Sequence, residues 1–202
     1  MRWKGEDVAS QIKLRGGDGD SVIAALQQEL TRHFGHTIKV DRKRRSDGPK
    51  KGNAASHFGT AQNQDKTYHI YWTQQYKDDW RANLPMRIRW EDEGRHNTAY
   101  QKMVVGDRGD LYATIWFEDK ISSRVVAINV VDLVALRKLR EELGANGRMV
   151  SGCPVDRIIR DIISVPGAKF AEIDVQRLQK RYGVKLCLVA SHRVSLGLLD
   201  LI

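Results

Sequence analysis

Val104-Val105-Gly106-Asp107-Arg108-Gly109-Asp110-Leu111-Tyr112-Ala113-Thr114-Ile115-Trp116-Phe117-Glu118-Asp119-Lys120 sets an acid after a glycine at the end of one apolar run. A second acid and a lysine then follow, two residues apart, at the end of the next run. Side chains two apart on a strand point the same way, so Glu118 and Lys120 share a face. If Ala99–Val105 and Leu111–Phe117 form a hairpin or a splayed pair, Asp107 approaches Glu118. Two carboxylates can then share a Mg²⁺ ion, which keeps several waters and polarises a phosphoryl oxygen, while Lys120 orients the attacking water. Asp110 is a poor substitute, because on one unbroken strand it stands roughly 26 Å from Glu118.

Working outward, Val22, Leu26 and Leu30 recur at helical spacing with Ile23 and Phe34 beside them, which predicts a helix over Ser21–Phe34 ended by Gly35. Thr37–Val40 reads as a short strand. Residues 41–64 hold little apolar content and many breakers and read as an exposed loop. Runs rich in Ile, Val, Tyr and Trp predict strands at Thr67–Thr73, Met86–Trp90, Ala99–Val105, Leu111–Phe117 and Arg124–Val130. Their short connections predict mostly antiparallel pairing. Helices are expected over Val131–Leu143, closed by Gly144, over Pro154–Ser164, and over Val175–Tyr182 after an Asp174 cap, with a final strand at Val184–Ala190. The expected fold is therefore α/β or α+β, a mixed and largely antiparallel central sheet flanked by helices. Residues 1–19 read as a flexible segment and 20–202 as one domain, with 150–183 a helical subregion.

The chain has 202 residues, 41% of them hydrophobic, enough for one domain with a core. Lys and Arg total 34 against 25 for Asp and Glu, a formal charge of +9. Such an excess favours a polyanion, because neutralising phosphates releases condensed counterions. Lys39 to Lys51 alone carries seven basic and two acidic residues, and Lys39, Arg42, Lys43, Arg44, Arg45, Lys50 and Lys51 are the expected backbone contacts. No apolar run reaches the length of a membrane span, and the first residues lack a signal-peptide core. Two cysteines, Cys153 and Cys187, give no disulfide framework. A cytoplasmic protein with a nucleic-acid partner, DNA favoured over RNA, is expected, and a homodimer is compatible with it.

Asp107 and Glu118-Asp119-Lys120, with ten residues between the acids, resemble the motif of the PD-(D/E)XK nuclease superfamily. Within it they are similar to the Holliday-junction resolvases and the restriction endonucleases. Ser21–Phe34 with His36-Thr37-Ile38-Lys39-Val40 resembles that family's first helix and strand, and Val131–Gly144 its following helix. The resemblance implies an endonuclease using Mg²⁺ or Mn²⁺, with Asp107 and Glu118 as ligands and Lys120 beside the water. It also implies a further ligand on the first helix, where Glu29 is the acid available. A second set, Asp65, Gln75 and Lys77, resembles the Gln-x-Lys variant of the same superfamily.

Other features point to less. A charged strand end also serves simply to keep an edge soluble, which leaves a non-catalytic DNA- or RNA-binding accessory protein as the alternative. Tyr68, Tyr71, Trp72, Tyr76 and Trp80 suit base stacking if exposed and a core if alternating. Pro154–Ser164 and the basic helix with Arg177, Lys180 and Arg181 suggest a helix-turn-helix, although the connection is longer than the usual turn. His33, His36, Cys153 and Cys187 contain no second close pair that would complete a zinc site.

Overall fold

The computed structural model describes residues 19–42, 57–64, 66–75, 83–90, 98–117, 125–150, 153–165 and 168–192. Helix α1 (Gly19–Phe34) is followed by strands β1 (Lys39–Arg42), β2 (His57–Asn63), β3 (Lys66–Gln75) and β4 (Asn83–Trp90). A π-helical turn (Gln101–Val105) leads into β5 (Leu111–Phe117), β6 (Val125–Asp132) and helix α2 (Leu133–Leu143). Then come β7 (Ala145–Val150), β8 (Cys153–Asp156), β9 (Asp161–Val165), β10 (Ala168–Asp174), helix α3 (Val175–Tyr182) and β11 (Cys187–His192). No helix among the described residues is long and apolar enough to cross a membrane.

Six strands form the central sheet in the order β1-β2-β3-β5-β6-β11. Neighbours are antiparallel except β3 and β5, which run parallel with Ile70 opposite Leu111 and Gln75 opposite Trp116. The expected mixed, mostly antiparallel α/β architecture is the one observed. Every residue of β5 is buried, as befits a strand covered on both faces. On one face Leu111, Ala113, Ile115 and Phe117 meet α1 through Val22, Ala25, Leu26 and Leu30. Leu26 and Leu30 are fully buried, worth about 1.5–3 kcal/mol each. On the other face Tyr112 and Val131 join a second core with Leu133, Leu136 and Leu139 of α2, Leu84 and Met86 of β4, Ala171 and Ile173 of β10, and Leu178 of α3. β4, β10 and β9 form a three-stranded antiparallel sheet, and β7 pairs with β8.

Three local expectations are corrected. Ala99–Val105 is helical rather than extended: Ala99, Tyr100, Met103 and Val104 are the buried residues, a spacing of one helix face that alternation cannot produce. Part of the expected loop 41–64 is strand, since β2 pairs with both β1 and β3; its sequence is weakly strand-like and its neighbours impose the conformation. Pro154–Ser164 is two strands and a turn. Val155, Ile158 and Ile159 are buried with helix-like spacing, but a turn between β8 and β9 produces it. Among the described residues of 150–183 only Val175–Tyr182 is helical, so the expected helical subregion is mainly β.

Candidate functional site

Glu118, Lys120, Lys43, Arg44, Arg45, Lys50, Lys51, Asp65 and Lys77 lie outside the described residues. Arg42 and Gln75 are placed by their backbones. Lys39 is exposed and its Nζ lies 3.5 Å from an Asp41 carboxylate oxygen. Glu29 is buried under α1 and paired with Arg32. It belongs to the helix on the first face of the sheet, whereas Asp107 stands beside α2 on the second face. The structure therefore does not bring Glu29 and Asp107 to one ion. Asp107 is also joined to the amino end of β5 through Arg108, Gly109 and Asp110, and β5 runs unbroken for about 20 Å from Leu111 to Phe117. The hairpin that would have carried Asp107 toward Glu118 needed Ala99–Val105 to be extended, and that segment is helical. Likewise Asp65 precedes Lys66, and β3 runs unbroken from there to Gln75. Among the described residues no three His, Cys, Asp or Glu side chains are grouped to hold a metal.

The segment from Gly106 to Asp110 is instead a tightly specified turn. The Gly106 amide donates to Gln101 O at 2.9 Å and the Arg108 amide to Lys102 O at 3.1 Å. A Cβ on Gly106 would stand 2.8 Å from Lys102 O, and one on Gly109, at φ +80°, would stand 2.7 Å from the Tyr71 ring. Arg137 of α2 donates to Met103 O at 3.0 Å and, through both Nη atoms, to Gly109 O at 3.0 and 3.1 Å. Asp110 accepts the His69 amide at 2.7 Å, tying the start of β5 to β3. The groove beside the turn holds Asp107 and Glu141 with Arg137 and Lys138, so its charges balance.

A different arrangement occurs where the β8–β9 turn meets α3. The Arg157 amide donates to Gly144 O at 2.9 Å, the Ile159 amide to Asp156 O at 3.0 Å, and the Arg160 amide to Glu172 O at 2.8 Å. These bonds sink Ile158 and Ile159 into the second core and leave Arg157 and Arg160 exposed. Asp174 caps α3 by accepting the Arg177 amide at 2.9 Å, and its other oxygen accepts from Arg160 Nη1 at 3.2 Å. Val175 and Leu178 are buried, and Arg177 and Arg181, one helical turn apart, both face the cleft. Arg157, Arg160, Arg177 and Arg181 thus surround a cleft of about 90 Å³ whose lining contains one acid, Asp174. The Arg181 guanidinium lies over the Tyr182 ring, 5.4 Å from its centroid.

No family model, no curated protein and no solved structure matches this chain.

The turn is braced from inside. Asp156, immediately before Arg157, accepts from Tyr100 and, at 2.9 Å, from Arg140 Nε. Burial, and then the Asp156 carboxylate, push the Tyr100 hydroxyl well above its ordinary range, so it stays a neutral donor. The sequence signal for the cleft was partly visible in the basic helix. Its partner was misread, because the helix-turn-helix needed a helix where β8, the turn and β9 stand.

Proposed function

We propose that this is a nucleic-acid-binding protein that grips phosphate through the cleft of Arg157, Arg160, Arg177 and Arg181. The observation that carries this reading is a single cleft lined by four arginines and one acid, on a chain of net charge +9. Guanidinium forks match phosphate oxygens in pairs and keep their charge at any working pH. Three or four such contacts to duplex DNA make affinity fall about 40- to 150-fold between roughly 50 and 200 mM salt. Titration of labelled duplex and single strands across that range tests the reading. Replacing Arg177 and Arg181 by Ala should reduce the logarithmic salt slope by about two. A salt dependence below about threefold, or an unchanged slope in the variant, counts against phosphate gripping at this cleft.

A second reading, Mg²⁺- or Mn²⁺-dependent cleavage of DNA, is supported by the strand register. β3 and β5 are parallel and end level, Gln75 opposite Trp116, so the strands leading into Gln75-Tyr76-Lys77 and Glu118-Asp119-Lys120 finish side by side. Ligands gather readily beyond the carboxyl ends of parallel strands. In this reading Glu118 holds the metal and Lys120 serves the water, with Asp107 and Glu29 taking no part. Divalent-metal-dependent cleavage lost in Glu118→Ala and Lys120→Ala is the expected result. No cleavage of DNA or RNA with either metal would leave the protein a non-catalytic binder.

A further inference from the structure

We infer that the arginine cleft selects the terminal phosphate of a nucleic-acid strand, a phosphomonoester dianion, over the internal diesters of the backbone. This rests on reading the cleft as a phosphate site. The first argument is charge. Asp174 offsets one of the four guanidinium groups, leaving an excess of three positive charges. A phosphomonoester brings about −1.5 to −2 at neutral pH and three terminal oxygens; a diester brings one negative charge and two free oxygens. A cleft with that excess of positive charge is better neutralised by the monoester.

The second argument is shape. The cleft is small, about 90 Å³, and suits a compact phosphoryl group. Ile158, Ile159 and Leu178 close the floor and are themselves buried. A diester seated there needs two chain exits, whereas a monoester needs one. The third argument is rigidity. Asp174 joins the two walls, capping α3 with one oxygen and holding Arg160 of the turn with the other. The Arg160 fork is therefore fixed before any ligand arrives, which favours a compact ligand of defined geometry. Tyr182 flanks the opening under Arg181 and offers a ring on which the first base beyond the phosphate can stack.

The test uses the full chain and short single strands of one sequence carrying a 5′-phosphate, a 3′-phosphate or hydroxyls at both ends. One phosphorylated end should bind about tenfold tighter or better than the hydroxyl-ended strand, the worth of one further charge-assisted contact. The gap should close in the Arg177→Ala/Arg181→Ala variant. Both positions lie on a helix, where alanine is the most favourable residue. The preference should also shrink on going from about pH 7.5 to pH 5, because the monoester loses its second charge near pH 6. Equal affinity for all three strands, weakened equally in the variant, would overturn end selection while leaving backbone phosphate gripping intact. No weakening in the variant would overturn both. A nucleoside monophosphate that competes as well as the phosphorylated strand would replace the strand end with a free nucleotide as ligand.

Discussion

The Gly106–Asp110 turn and the arginine cleft are both dense in charge, and they use it in opposite ways. In the turn, Asp110 is occupied by a backbone amide of β3, and Arg137 by the carbonyls of Met103 and Gly109. The groove alongside has two acids and two bases. In the cleft the backbone groups satisfy one another. Of its side chains, Asp174 engages Arg160 and Ala145 O accepts from Arg157 Nε at 3.2 Å, while the lining holds no second acid for the Arg177 and Arg181 guanidinium groups. Charge is left over for a ligand where guanidinium groups outnumber the acids and backbone carbonyls that engage them. Spacing along the chain cannot report that, because those acids and carbonyls belong to other elements.

The largest expected effect lies where the cleft depends on a buried ion pair. Asp156→Ala leaves Arg140 and the Tyr100 hydroxyl without their shared acceptor. Removing one partner of a buried pair costs about 3–5 kcal/mol, measured by urea denaturation. A loss below about 1 kcal/mol would mean that Asp156 does not brace the turn. Arg137→Ala is expected to cost less, about 1.5–3 kcal/mol, since it removes charge-assisted bonds from a partly exposed group. Its nucleic-acid affinity should stay within about threefold of the parent, because those bonds serve the fold and contact no phosphate. A large loss of binding at unchanged stability would move the interface from the cleft to the turn.

Much of the fold was legible in the sequence, and the failures have physical causes. α1 and α2 announced themselves through apolar stripes and terminal signals: Gly35 and Gly144 end them in positive-φ conformations, and Asp132 caps α2 through the amides of Val134 and Ala135. β3, β5 and β6 carried the β-branched and aromatic runs of buried strands. Ala99–Val105 was lost because a one-turn helix is too short for its period to stand out from a strand. β8, its turn and β9 were lost because Val155, Ile158, Ile159 and Ile162 imitate helical spacing. Of the site, less was legible. Asp107 lies before the amino end of β5, next to α2, and Glu118 and Lys120 lie outside the described residues. Arg157 and Arg177 lie far apart in sequence and are joined by the pairing of β9 with β10 and the Asp174 cap.

Asp107→Ala is expected to do least. The side chain is exposed, it sits in a groove whose charges already balance, and the bonds that shape its turn are made by Gly106, Arg108 and Arg137. Stability should change by no more than about 0.5 kcal/mol, as for surface substitutions generally, and nucleic-acid affinity should be unchanged or slightly higher, since an acid has been removed from a basic protein. The measurement with most consequence is metal-dependent cleavage. If cleavage exists and survives Asp107→Ala while failing in Glu118→Ala, the metal lies at the carboxyl ends of β3 and β5, and the acid after Gly106 belongs only to the turn. If Asp107→Ala abolishes cleavage with folding and binding intact, Asp107 belongs to the catalytic set and the metal lies by the turn at the amino end of β5.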